Sequence, residues 1–413
     1  MADAAETPQA KQPKKKAAVI FGYLGTNYSG LQINPGVSTV EQALELALYK
    51  AGAISDANHE GGFSKIQWTR SSRTDKGVHA GANVVALKCM IGDPDLLAKV
   101  RSHLPQDIAL HGIIRATRSF NAKNATSSRE YEYIMPAWMF SRQHEEFVKS
   151  VLSDGADEAM VSGLVQPVTL ADDDLAAINS ITNAFRGTLN YHNFSSGTDS
   201  FDPSSNRYIT KFHASLLQLP EGQFVRFEIH GQSFLFNMIR LMVGAVLGVH
   251  HGVINSDLLH KKDLFDSRKK FVVMSWSLRS SFSSQHHSRF HLPLAPALGL
   301  FLQKPLFSGY LKKVPEMELT ELKDDIAAFI QDRIYSEIAR LDSARNEFAR
   351  WLCLLYRGHS HTGSWNTFTE LTPGAATQPP KKKRKKPAPP GVEDWLKQKP
   401  APSECQTEPA AAD

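Results

Sequence analysis

Residues 70–89, RSSRTDKGVHAGANVVALKC, set arginine, aspartate, lysine and histidine within ten positions and then turn apolar. The second half, continued as ANVVALKCM (82–90), is a short apolar run and predicts a strand. The first half predicts the loop that enters it, because Asp75-Lys76-Gly77 is turn chemistry and Gly77 lets the backbone reverse tightly. Most aspartates in such turns only cap them. Here Arg73 and Thr74 precede Asp75, and the strand carries the whole loop back into the core, so the charges gather at the mouth of a strand.

On the N-terminal side, AAVIFGY (17–23) predicts another strand, and LGTNYSGLQINPG, rich in Gly, Asn and Ser, a loop. Ser38 and Glu41 have the spacing of a capping box, and Val40, Ala43, Leu44, Ala47 and Leu48 follow at helical spacing up to a stop at Gly52. Gly22, Gly25 and Gly30 fit neither G-x-G-x-x-G nor a Walker pattern, which speaks against a phosphate cradle. On the C-terminal side, REYEYIM (129–135) predicts a strand with Arg129, Tyr131, Tyr133 and Met135 on one face. In QFVRFEIHG (223–231), Val225, Phe227 and Ile229 alternate with Phe224, Arg226, Glu228 and His230. QSFLFNMIRLMVGAVLGV (232–249) is apolar almost all round and predicts a buried helix. Between 315 and 356, Leu319, Leu322, Ile326, Phe329, Ile330, Ile334, Ile338 and Leu341 keep helical spacing among many charges. Strands and helices interleave, so the expected fold class is α+β: a mixed, mainly antiparallel sheet flanked by helices, with a C-terminal helical extension and disordered tails.

The expected domain plan follows the composition. Residues 1–16 are expected to form a disordered basic tail, and 17–310 the folded core, in two α+β subdomains, 17–115 and 116–310. Residues 311–360 form the helical extension and 361–413 a second disordered tail. The formal net charge is +5, but Lys381, Lys382, Lys383, Arg384, Lys385 and Lys386 account for six positive charges, so any nucleic-acid surface on the core must be a local patch. That run, flanked by prolines, has the form of a nuclear-localisation signal. The expected address is the nucleus, with cytoplasm and mitochondrion as alternatives. Cys89, Cys353 and Cys405 make neither a disulfide framework nor a zinc spacing, and no uninterrupted run of apolar residues is long enough to predict a membrane span. HHSRFH (286–291) lacks a nearby cysteine and reads as a solvated loop rather than a metal site.

Arg240 is the only ionisable residue between Gly231 and Val249. A guanidinium buried alone costs several kcal/mol and cannot readily shed its proton, so it needs a carboxylate or a route to the surface. If the partner is functional, Asp75 is the natural candidate, held ionised by the arginine.

The loop SRTDKGVHA (72–80) resembles the signature R-T-D-x-G-V-x-A of the TruA/Pus1 family of tRNA pseudouridine synthases. Further stretches are similar to family motifs in the family's order: FGYLGTNYSGLQINPG followed by TVEQALELAL, SSREYEYIMP (127–136), YHNFSS (191–196), NRYI (206–209), SFLFNMIRLMVGAVLGV (233–249) and LPLAPALGLFL (292–302). The likeness runs from about residue 17 to 310. It implies that Asp75 is the catalytic aspartate, that Tyr131 lies against the target base, and that Arg240 pairs with the aspartate. It also implies substrate contacts by Arg73, which helps displace the target nucleotide, and by Thr74, Tyr131, Arg129 and His79. Ala297 stands where the family usually has glycine, and Leu31 where bacterial members have a bulky aromatic residue. Lys76 after the aspartate, the basic tail and the helical extension favour the eukaryotic branch, whereas His79 is bacterial-like.

The implied reaction turns uridine in tRNA into pseudouridine without redox change or loss of atoms, so neither a cofactor nor a metal is expected. Tyr131 would offer an aromatic face to the flipped base, and Lys123, Arg129, Arg207 and Arg226 are candidates for the RNA backbone. Messenger or small nuclear RNA are further candidate partners; no membrane is expected, and the sequence sets no oligomeric state. The alternative is an RNA-binding platform of the same fold without turnover.

Overall fold

Nine segments of this chain form one sheet, some as continuous apolar runs buried on both faces and one, 222–231, with alternating burial. In a computed structural model, the structure describes residues 13–141, 168–195, 198–270, 292–312, 314, 322–362 and 369–370. The chain divides near residue 371, and the part beyond it, including the basic run, lies outside the described residues, as does 286–291. The strands are β1 (Lys15–Tyr23), β2 (Thr69–Arg70), β3 (His79–Cys89), β4 (Ile108–Arg115), β5 (Ser128–Pro136), β6 (Gly187–Asn190), β7 (Asn206–Leu219), β8 (Gly222–Gly231) and β9 (Leu300–Leu306). Their order is β4-β1-β3-β9-β5-β8-β7-β6, with β2 also on β3, and every pairing is antiparallel except β3 with β9. The sheet is the mixed, mainly antiparallel one expected, and it runs without a break through both expected subdomains.

Strand β1 begins inside the expected tail: Lys16 is buried and its ammonium donates to the Gln67 carbonyl at 2.9 Å, so a charged residue is satisfied within the sheet. Helix α1 (Val40–Lys50) ends as expected before Gly52, whose φ of +79° favours glycine. Its start differs. The N-cap is Thr39, and the Ser38–Glu41 capping box does not form, because Glu41 is buried and accepts from Trp68 Nε1 at 2.7 Å, Arg70 Nη2 at 2.9 Å and the Ile33 amide at 3.0 Å. A buried carboxylate needs a charged partner more than a helix end needs a cap.

Helix α2 (Met238–His250) is shorter than its apolar run. Residues 232–237 form a loop that ends at Asn237 with a φ of +62°, and of the thirteen helical residues all but Arg240 are buried. The strap at 292–298 crosses this helix at Gly244, where a Cβ would stand 1.7 Å from the Pro293 carbonyl oxygen.

The extension forms α3 (Lys323–Phe329), a π-turn (Ile330–Tyr335), α4 (Ser336–Arg345) and α5 (Glu347–Thr362). Its apolar residues Ile326, Phe329, Ile330, Ile334, Ile338 and Leu341 are buried in the same core as the sheet. Glycines make the fit: a Cβ at Gly22 would meet the Phe329 ring at 2.8 Å, and one at Gly81 the Ile330 side chain at 2.5 Å. Tyr335 donates to the buried Glu132 carboxylate of β5 at 2.7 Å, which ties the extension to the sheet's centre. Among the described residues no helix is long and apolar enough to cross a membrane.

Candidate active site

The charged loop of residues 71–78 is held from three sides. Its tip is a turn closed by the Val78 amide donating to the Asp75 carbonyl at 3.1 Å, with Gly77 at a φ of +81°. From below, the buried Asn83 side chain donates to the Ser72 carbonyl at 3.1 Å and accepts from the Ser71 hydroxyl at 2.6 Å. Asn83 can reach the loop because β3 bulges just before it: Phe21 pairs with Asn83 but Tyr23 with Ala80, so two steps along β1 face three along β3.

On the second side lies the glycine-rich loop after β1. The Leu31 amide donates to the Thr74 carbonyl at 3.2 Å, and the Gly25 amide to His79 Nδ1 at 3.0 Å. A Cβ on Gly25 would stand 2.2 Å from the Val78 carbonyl oxygen, and one on Gly30 2.8 Å from that of Thr74. These glycines allow two backbones to touch, which is their use here. Thr74 is itself buried, sharing a 2.7 Å hydrogen bond with the Tyr23 hydroxyl.

The third side is Arg129 on β5. Its Nε donates to the Ser72 hydroxyl at 3.0 Å, Nη2 to the Ser71 carbonyl at 2.9 Å and Nη1 to the Gln232 carbonyl at 2.9 Å. One guanidinium thus joins the Asp75 loop to the loop ahead of α2. Two positions along β5, Tyr131 is 9% exposed and packs its ring against Phe234 edge-on, with centroids 5.2 Å apart. Burial pushes its hydroxyl up to about 12, so it stays protonated at neutral pH.

Asp75 stands exposed at the loop, and among the described residues its carboxylate accepts no hydrogen bond. Crowding by protein on its inner side removes water and raises its pKa above the ordinary value, while the charge of Arg240 pulls it back down. Arg73 and Lys76 flank it, both exposed.

Arg240, in the first turn of α2, is half-buried. Its Nε donates to the Ala295 carbonyl at 2.6 Å, and its own carbonyl accepts from the Ala295 amide at 3.2 Å. The direct pair with Asp75 expected from the resemblance is not formed: no nitrogen–oxygen contact within 4.0 Å joins them. Desolvation lowers the Arg240 pKa, and the fields of Tyr133, Asp75 and Glu347 oppose that shift. The strap carbonyl satisfies Nε, and among the described residues the guanidinium donates no other hydrogen bond. Glu347, at the start of α5, is a second carboxylate acting on Arg240 that the sequence reading missed.

The remaining expected site residues lie elsewhere. His79 is fully buried, accepts from Gly25 and is pushed down to about 4 by burial, so it is neutral and walled off from any substrate. Arg226 is half-buried, donates to Ser215 at 3.1 Å, and lies near Glu132 and Tyr335 beneath the extension, which removes it from an RNA-facing surface. Arg207 is half-buried and Lys123 exposed. Among the described residues no group of three His, Cys, Asp or Glu could hold a metal ion. Missed residues include Tyr23, Ser71, Ser72 and Asn83. Asn83 carried a signal, since it is a lone amide inside an apolar strand.

A family model described as tRNA pseudouridine synthase matches residues 181–275. The Pseudouridylate synthase 1 homolog of Mus musculus is 31% identical over 357 residues, covering 84% of this chain and 75% of that protein. The Homo sapiens protein of the same name is 32% identical over 347 residues, covering 82% and 72%. The tRNA pseudouridine synthase 1 of Yarrowia lipolytica is 30% identical over 405 residues, covering 80% and 72%.

Proposed function

The chain belongs to the tRNA pseudouridine synthase family, and from that membership we infer that it isomerises uridine in tRNA with Asp75 as the carboxylate that acts at the sugar. The observation that carries this assignment is the isolation of Asp75: an exposed carboxylate with no hydrogen-bond donor among the described residues, on a loop fixed by Arg129, Asn83 and two glycines, within the field of one cation. A carboxylate that merely capped its turn would be occupied by backbone amides. This one is left available.

In the reaction, the bond from uracil N1 to ribose C1′ breaks, the base turns while bound, and C5 bonds to C1′. C5 then loses its proton to solvent and N1 gains one, so atoms and electrons balance within the substrate. Asp75 serves either as nucleophile at C1′ or as the base that removes the 2′ proton, and both roles need it ionised. Arg240 favours that form. A uridine in a helical stem must leave its stack first, at a cost of a few kcal/mol. Tyr131 supports the flipped base, and Arg73, exposed beside Asp75, displaces it. Thr74, Arg129 and His79 act from behind, by holding the loop in shape.

Messenger and small nuclear RNA are proposed as further substrates, since a uridine flipped out of any stem would present the same nucleotide to Asp75. The nucleus is the proposed address, on the strength of the run at 381–386. The test of the reaction is nucleoside analysis of tRNA incubated with the purified chain alone. Pseudouridine should rise by the amount that uridine falls; tRNA bound but unchanged would leave the inactive-platform reading standing.

A further inference from the structure

Phe236 is 58% exposed, more than any other large apolar side chain among the described residues. Single exposed apolar residues are ordinary on protein surfaces, so exposure alone carries no meaning. What distinguishes Phe236 is where it is held. It lies two residues after Phe234, whose ring packs on Tyr131, and four before Arg240, whose charge reaches Asp75. The loop that presents it is fixed at both ends. Gln232 donates its amide to the Tyr208 carbonyl at 3.1 Å and accepts from Arg129 at 2.9 Å, while Asn237, with a φ of +62°, turns the chain into α2 and accepts the Leu241 amide at 3.0 Å. An aromatic ring is thus kept in solvent on a loop tied at one end to Arg129 and, through Phe234, to Tyr131, and leading at the other into the helix whose Arg240 charge reaches Asp75.

We propose that Phe236 is the wedge that fills the gap left in an RNA stem when the target uridine is flipped toward Asp75. The proposal rests on the isomerase reading above. A flipped nucleotide leaves two base pairs unstacked, and an apolar side chain inserted between them restores contact and keeps the base from returning. Arg73, a charged and exposed side chain of the Asp75 loop, would displace the base, and Phe236 would hold the space.

The test compares two RNA stems that differ only at the target uridine, paired with adenosine in one and already bulged out in the other. Single-turnover rates are measured for the wild type, Phe236→Ala and Phe236→Leu. A fluorescent 2-aminopurine beside the uridine reports unstacking. Phe236→Ala should be about 10- to 100-fold slower on the paired stem and within about twofold of wild type on the bulged one. Phe236→Leu should recover most of the paired-stem rate, and the fluorescence rise should be smaller for Phe236→Ala. Equal slowing on both stems, or none on either, would overturn the wedge. Wild-type turnover of both stems separates this result from the reaction itself; no wild-type turnover on any RNA would overturn both.

Discussion

Arg129 donates to the Ser71 carbonyl at 2.9 Å and to the Ser72 hydroxyl at 3.0 Å, so the strand that carries Tyr131 also holds the loop that carries Asp75. Its guanidinium fork serves geometry. Arg129→Lys keeps the charge but cannot span three acceptors. Single-turnover isomerisation should fall by about 10- to 100-fold, with tRNA affinity and its salt dependence unchanged. An unchanged rate with weaker, less salt-dependent binding would make Arg129 a phosphate contact instead.

The pH profile reports on Arg240. Burial already raises the Asp75 pKa, so activity should be present above that raised value and be lost as pH falls through it. Arg240→Met removes the charge that lowers it. The acid limb of kcat/KM should therefore move to higher pH. A limb that stays in place would show that Arg240 does not act on Asp75.

Tyr335 tests whether the extension is integral to the sheet. Tyr335→Phe leaves the buried Glu132 without its 2.7 Å donor, at a cost of about 1–3 kcal/mol. Burial raises the Glu132 pKa and the Tyr335 hydrogen bond opposes this, so the variant raises it further. The ionised form then costs more above that pKa, and the deficit shrinks as pH falls and Glu132 protonates. Melting temperatures should differ most near neutral pH and converge in acid; identical values throughout would mean that the contact contributes nothing.

The basic run is separable from catalysis. Deleting residues 381–386 should leave turnover of tRNA unchanged and move the protein out of the nucleus, followed by microscopy of a tagged chain. An unchanged distribution would mean that the address lies elsewhere.

The sheet was legible in the sequence in two ways: 223–231 buries alternate residues over most of its length and a period of two leaves a clear record, while 17–23 and 82–89 are short apolar runs almost wholly buried on both faces. The start of α2 was not, because Phe234 and Phe236 are apolar for reasons of the site: one supports Tyr131 and the other faces solvent. Arg240 was found from its isolation in an apolar helix, and the same reasoning applied to Asn83 would have found the loop's inner anchor. A motif could not say which way its members point. Asp75 and Arg73 face out, whereas Thr74 and His79 of the same nine residues face in, and that division is made by a β-bulge and by two glycines from a loop some fifty residues earlier.

The most direct measurement is tritium release from tRNA carrying 5-tritiated uridine, comparing the wild-type chain with Asp75→Asn and measuring tRNA affinity in parallel. The account predicts release by the wild type, none above background by Asp75→Asn, and equal affinity for both. Release by Asp75→Asn at the wild-type rate would contradict it.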